Sequence, residues 1–233
     1  MDFDTKGPLL KPLLLIGVQA SRMGTRKELL PFPDGSLAFE HALSSLHSAL
    51  PSASTIYISL HSSSQQAGIQ FRLNDPASLF TSNTPSSHED HHYISTPSLQ
   101  VILDNPAQGI GPAAGLLAAH SLHPEAKWLV LGCDYPLLPP SALQQLILEY
   151  KDPLTCFVNE EGFVEPLIGI WSPDALGKLK ENVGDGNSGL SAVVKEMGGK
   201  MVKPLREGWI QGFDTREEWE EVLRVLKGVE TGL

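Results

Sequence analysis

LLLIGVQASRMGTRKELL, residues 13–30, begins as an apolar run of strand character and breaks into a loop rich in glycine and positive charge. The loop carries Gly17 and Gly24 together with Arg22, Arg26 and Lys27. Glycine lets backbone approach a phosphate without a Cβ clash, and consecutive loop N–H groups can form an anion-binding nest. Arginine offers phosphate oxygens a planar fork, and lysine a mobile point charge. The spacing is not GxxxxGK[ST], because Glu28 rather than a hydroxyl residue follows Lys27, and it is not GxGxxG either. From this loop alone, an ordinary strand–loop–helix with surface charges remains the alternative to a phosphate site.

Beyond the loop, strand-like runs recur at 55–60, 99–103, 128–131 and 154–158, after a first at 13–18. Helical periodicity separates them at 37–50, 112–120 and 140–150. The last third mixes short strands (165–170, 201–204) with helices near 173–181, 190–197 and 215–225. This alternation predicts an α/β fold, a mostly parallel sheet wrapped by helices, with ligands at the carboxyl ends of the strands. Residues 62–97 break the pattern: they are rich in Ser, Asn, Pro and His, and read as a long loop or flexible insertion. Inside that segment His88-Glu89-Asp90-His91-His92 offers donors for a transition metal, but its spacing matches no defined site, and a solvated insertion is the better reading.

Three further constellations carry chemistry. LVLGCDYPLLP, residues 129–139, runs an apolar strand straight into Asp134, with Pro136 and Pro139 stiffening the exit. A carboxylate at that edge can hold Mg²⁺ against triphosphate oxygens, since Mg²⁺ needs only one or two protein carboxylates beside waters and phosphates. The plainer role is a cap on the following turn. LDNPAQGIGPAAGLLAAH, residues 103–120, ends a strand at Asp104 and opens a helix at Gly111-Pro112, with Gly115 in its first turns. Small residues and free N–H groups at a helix start leave room for an anion, although they also serve close helix–sheet packing. EPLIGIWSPDAL (165–176), GDGNSGL (184–190) and WIQGFDTREEWEEV (209–222) complete the set. In the last of these, Asp214 is a candidate ligand contact, while Thr215 with Glu217 and Glu218 also reads simply as a helix start.

These motifs, in this order and spacing, resemble the MobA-like nucleotidyltransferases, whose signature loop is written LAGGxSxRMGxxKxLL. The resemblance also takes in a CDxP metal motif, a D…GPLAG segment, an EPL strand and a closing NxNTPEDL, and so covers nearly the whole chain. It implies a single Rossmann-like three-layer domain over residues 1–233. It further implies transfer of a nucleoside monophosphate from an NTP to a phosphorylated acceptor, and within the group the pattern is most similar to the molybdenum cofactor guanylyltransferases. By that resemblance, GMP would pass from GTP to molybdopterin with release of pyrophosphate and help from Mg²⁺. Arg22, Lys27 and Asp134 would be catalytic, with Asp134 the metal ligand. Ile16, Gly17, Val18, Gly24, Lys27, Asp104 and Asp134 would hold the nucleotide, and Gly111, Gly115 and Asp214 the acceptor. Molybdenum cofactor biosynthesis proteins or recipient enzymes would be further contacts. The chain departs from the pattern at Val18, where the family has a second glycine, and at Gly212 and Asp214, where it has asparagines. Cytidylyl transfer, transfer to a sugar phosphate, and a nucleotide-binding regulator without catalysis stay open beside guanylyl transfer.

Composition narrows the classes of function. A chain of 233 residues suffices for one α/β domain with a full core. A net charge of −10 argues against nucleic acid as partner, though not against a phosphorylated small molecule. No run approaches a membrane span, and the acidic leader with Asp2 and Asp4 does not resemble a secretory signal. Cys133 and Cys156 are too few for a disulfide framework and read as reduced core thiols of a cytoplasmic protein.

Overall fold

The computed structural model describes residues 10–17, 24–80, 96–104 and 109–230. Seven strands form one sheet in the order β3-β2-β1-β4-β6-β5-β7. They are β1 (Leu10–Ile16), β2 (Thr55–Leu60), β3 (Ser98–Leu103), β4 (Lys127–Gly132), β5 (Leu154–Val158), β6 (Val164–Trp171) and β7 (Lys200–Val202). β1 pairs in parallel with both β2 and β4, and β2 in parallel with β3. Only β6 runs against its neighbours β4 and β5, so the sheet is mostly parallel, as the alternation predicts.

A strand of such a sheet is buried on both faces, which is why β1 from residue 13 to 16 reads as continuous leucine and isoleucine rather than as an alternation. Leu14 and Ile16 face a core built with α1 (Ala38–Ala49), α2 (Ser63–Leu73) and α5 (Pro140–Glu149). Leu13 and Leu15 face the opposite core, built with α4 (Pro112–Leu122), α6 (Pro173–Gly184) and α7 (Leu190–Glu196). The result is a three-layer arrangement of helices, sheet and helices. A smaller cluster joins Phe32 and Ala38 to Phe213, Trp219 and Val222, and so packs α8 (Arg216–Glu230) beside the start of α1. No described helix is long and apolar enough to cross a membrane.

The structure differs from the sequence reading at residues 62–97. The first half of that segment is helical: Ser62 caps α2 by accepting a hydrogen bond from Gln65 N, and α3 (Pro76–Phe80) follows. Five polar side chains in a row at 62–66 and the sparse apolar positions hid a helix that buries only Gln65, Ile69 and Leu73. The His88–His92 cluster lies outside the described residues. So do Val18 and Arg22 of the glycine loop.

Candidate active site

The strand order reverses beside β1, whose two neighbours β2 and β4 lead to opposite edges of the sheet. In open α/β sheets that is where a crevice forms at the carboxyl ends of the strands. Here the crevice is a cleft of about 320 Å³. From one side to the other it takes in Asp104 after β3, Ser59 on β2, Ile16 and Gly17 at the end of β1, and Asp134 after β4.

Lys27 ties three distant segments together at this edge. It opens a short 3-10 turn, Lys27–Leu29, and its side chain is nearly buried at 13 % exposure. Its ammonium lies 2.7 Å from Asp214 Oδ1 and 3.8 Å from Asp134 Oδ2, and donates to the Phe213 carbonyl. It also stands 4.9 Å from the centre of the Phe213 ring. The start of α8 is capped by the residues that follow Asp214. Thr215 and Glu218 form the capping box: Glu218 N donates to Thr215 Oγ1 at 3.2 Å, and Thr215 N to Glu218 Oε2 at 3.0 Å. That division of labour leaves the Asp214 carboxylate in contact with Lys27.

Asp134 is reached through Gly132 and Cys133, with Cys133 N still bonded to Leu15 O at 3.2 Å as an extension of the β1–β4 pairing. A Cβ at Gly132 would stand 2.7 Å from Asp134 Oδ1, so the carboxylate folds back into space that only glycine leaves open. Burial pushes the Asp134 pKa up, and Lys27 only partly offsets it while Asp214 adds to it. The neighbouring Tyr135 hydroxyl donates to Glu165 Oε2 at 2.8 Å on β6. Burial likewise pushes the Cys133 thiol far up, so it lines the cleft as an inert neutral group.

On the far side, Asp104 N continues the β2–β3 pairing by donating to Leu60 O at 2.8 Å. The Asp104 carboxylate accepts from the Ser59 hydroxyl, and burial raises its pKa against that hydrogen bond. Gly111 precedes α4 at φ +59°, a conformation that favours glycine, and Pro112 takes the first helical position. Gly115 has a packing reason of its own: a Cβ there would meet Ser59 Oγ at 2.5 Å and Leu15 Cδ2 at 2.7 Å. Both glycines line the cleft. Gly24 has φ +64° but is not among the residues lining the cleft.

Sequence reasoning passed over Ser59, Glu28 and Leu167, which also line the cleft. The signal available for Ser59 was a small hydroxyl between Ile58 and Leu60 at the carboxyl end of a strand, and for Glu28 a carboxylate next to the loop lysine. Glu28 is buried, with an ion pair to Arg26 at 2.7 Å.

The donors at the Lys27 end suit a hard divalent cation. Two carboxylates, Asp134 and Asp214, converge on the single Lys27 ammonium at the edge of the cleft. Among the described residues no three of His, Cys, Asp and Glu form a metal cage. One or two carboxylates completed by waters and phosphates is the arrangement small divalent cations take with nucleotides.

Comparison with known proteins finds relatives by sequence and a neighbour by fold. The chain is 31% identical over 180 residues to a protein of Rhodopirellula baltica named "Probable molybdenum cofactor guanylyltransferase", covering 76% of this chain and 74% of that one. It is 31% identical over 101 residues to a "Molybdenum cofactor biosynthesis bifunctional protein" of Synechocystis sp., a match over 42% of this chain that spans only 28% of that longer protein. The fold superposes on the crystal structure of molybdopterin-guanine dinucleotide biosynthesis protein A from Archaeoglobus fulgidus with a TM-score of 0.64 at 13% identity, over 94% of this chain and 100% of the other. Residues 13–201 match the MobA-like NTP transferase domain, which is most of the chain, and the protein belongs to that family.

Proposed function

We propose that this protein transfers GMP from GTP to the terminal phosphate of molybdopterin and releases pyrophosphate. The observation that carries this reading is the convergence of Lys27, Asp134 and Asp214 at the carboxyl edge of β1 and β4, beside a glycine-lined cleft. The naming of its relatives supports guanine as the base and molybdopterin as the acceptor.

The acceptor phosphate would attack the α-phosphorus in line, with pyrophosphate leaving from the opposite side. A phosphate nucleophile is already ionised near neutral pH, so no general base is required. What must be overcome is repulsion between two anions, and the work is positioning and charge stabilisation. Lys27, with Arg22 as the second cation, would stabilise the charge on the α-phosphate and on the departing pyrophosphate. Asp134, assisted by Asp214, would hold Mg²⁺, which when bound supplies a Lewis-acidic centre for the phosphate oxygens. Ile16, Gly17, Val18 and Gly24 would contact the nucleotide chiefly through backbone groups. Asp104 would accept hydrogen bonds from ribose hydroxyls or the guanine edge. Gly111 and Gly115 would leave room for the acceptor, with Asp214 at the junction between the two substrates.

Molybdenum cofactor biosynthesis proteins or recipient enzymes would be the partners that deliver the acceptor and collect the product. The free, buried Cys133 and Cys156 support a reducing, cytoplasmic setting. The test is direct. Melting shifts with GTP, CTP, UTP and ATP in the presence of Mg²⁺ rank the bases, and pyrophosphate release with molybdopterin measures transfer. GTP is expected to give the largest shift and to support release. A CTP-selective shift, or release only with a sugar phosphate, overturns the assignment.

A further inference from the structure

Helix α2 reaches the described ends of the glycine loop with the side chain of Gln65. Gln65 is buried at 6 % exposure, in the first turn of a helix that no motif of the chain marks out. Its Nε2 donates to the Gly17 carbonyl at 2.8 Å and lies 3.4 Å from Glu28 Oε1. Its Oε1 accepts from His61 N at 2.8 Å, just past the end of β2. These three partners fix the orientation of the amide. Turned over, it would set Nε2 against a backbone N–H and Oε1 against two acceptors. The backbone of the same residue is held as well: Gln65 O accepts from the Arg26 guanidinium at 3.0 Å, and Arg26 in turn pairs with Glu28. A Cβ at Gly68, one turn further along α2, would overlap that guanidinium, so the helix is shaped to receive it.

The two oxygens met by the Gln65 amide share a property. The Gly17 carbonyl and the Glu28 carboxylate both belong to residues lining the cleft, and both are negatively polarised. Arg26 and Gln65 share the Glu28 oxygen, at 2.7 and 3.4 Å. Without these donors it and the Gly17 carbonyl would repel a triphosphate, and in a partly desolvated cleft that repulsion is weakly screened. Gln65 thus spans the two ends of the loop, at Gly17 and Glu28, and engages the oxygen that each presents.

We propose that Gln65 is a positioning residue for the nucleoside triphosphate, which keeps the Gly17 carbonyl and the Glu28 carboxylate occupied so that neither opposes the incoming phosphates. The proposal rests on the reading of this cleft as the nucleotide site. Glutamate cannot replace this residue, although it has the same shape. It has no donor for either oxygen and it adds a third negative group. An apolar residue of similar length removes the donors without adding charge.

The experiment uses the full chain, with GTP, CTP, UTP and ATP titrated in excess Mg²⁺ onto wild type, Gln65→Met, Gln65→Glu and Gln65→Glu combined with Glu28→Gln. Gln65→Met is expected to raise Kd and KM for the bound nucleotide by about tenfold, the effect of one or two buried hydrogen bonds, with kcat changed by less than about threefold. Gln65→Glu is expected to weaken binding further. Adding Glu28→Gln removes one of the facing carboxylates and is expected to recover a substantial part of that loss, which a merely structural role would not produce. Binding equal to wild type in both single variants overturns the proposal. So does a loss of affinity that only tracks the melting temperature and that Glu28→Gln does not restore. If wild type binds none of the four nucleotides, the nucleotide reading of the cleft fails along with the role of Gln65. If it binds one other than GTP, only the base assignment fails, and the Gln65 variants are judged with that nucleotide.

Discussion

The Lys27 ammonium lies 2.7 Å from the Asp214 carboxylate, a contact across 187 positions that closes the C-terminal segment onto the glycine loop. The same ammonium is 3.8 Å from Asp134, so one lysine holds two carboxylates at the strand edge where transfer is proposed. Lys27→Ala is therefore expected to reduce turnover by ~10²-fold or more, in line with the removal of a preorganised group that stabilises charge. Pyrophosphate release measures it. The fold should survive, because the strands and both main cores do not depend on this contact. A loss of melting temperature as complete as the loss of turnover would make Lys27 a structural residue.

Asp134 carries the complementary prediction. Asp134→Asn keeps the shape of the side chain but removes the anionic donor, so Mg²⁺-dependent stabilisation by nucleotide should disappear. For wild type, ligand at 100 times its Kd adds about 2.7 kcal/mol of apparent stability, which a melting curve resolves easily. Chelating Mg²⁺ from wild type should erase the same increment. An Asp134→Asn protein that keeps a full Mg²⁺-dependent shift would remove Asp134 from the metal site.

Much of this architecture was legible because parallel strands buried on both faces leave continuous apolar runs. Every strand expected from such a run is present in the sheet, with ends displaced by a few residues. Asp104, Asp134 and Gly111 stand out in the sequence because each follows or precedes an element end, and all three line the cleft. The helix at Ser63–Leu73 escaped notice because it buries little and is polar along most of its length. Gln65 escaped with it. Its importance lies in contacts with residues 17 and 28, far away in sequence, and no local pattern encodes them. The pairing of Lys27 with Asp214 is equally nonlocal, and the helix-start signal at Thr215 and Glu218 obscured which acid does the capping.

Gly115→Ala tests whether α4 packs as tightly as the geometry indicates. The added methyl would stand 2.5 Å from Ser59 Oγ and 2.7 Å from Leu15 Cδ2, closer than nonbonded atoms approach. Overpacking of this kind costs about 1–3 kcal/mol, and chemical denaturation should show a lower midpoint with an unchanged slope. The displaced Ser59 hydroxyl donates to Asp104, so nucleotide affinity should fall as well. A protein as stable as wild type would mean that α4 shifts outward without penalty.

Asp104 offers a prediction in which stability and function pull in opposite directions. Burial raises its pKa above the ordinary 3.8, against the partial offset of the Ser59 hydrogen bond. A carboxyl with a raised folded pKa is protonated more readily in the folded state than in the unfolded one. Its favourable contribution is complete below about pH 3.8 and is lost as pH rises through the folded value. Asp104→Asn stays neutral throughout and can still accept from Ser59. Without ligand, it should therefore melt above wild type at pH 7, and the difference should vanish in acid below the unfolded pKa. With GTP and Mg²⁺ the order should reverse, because the anionic acceptor for ribose or guanine donors is gone; an affinity loss of about tenfold is expected. Melting curves at pH 7 and pH 3, with and without nucleotide, read both effects. A difference between the proteins that is the same at the two pH values would show that burial of the Asp104 charge carries no cost.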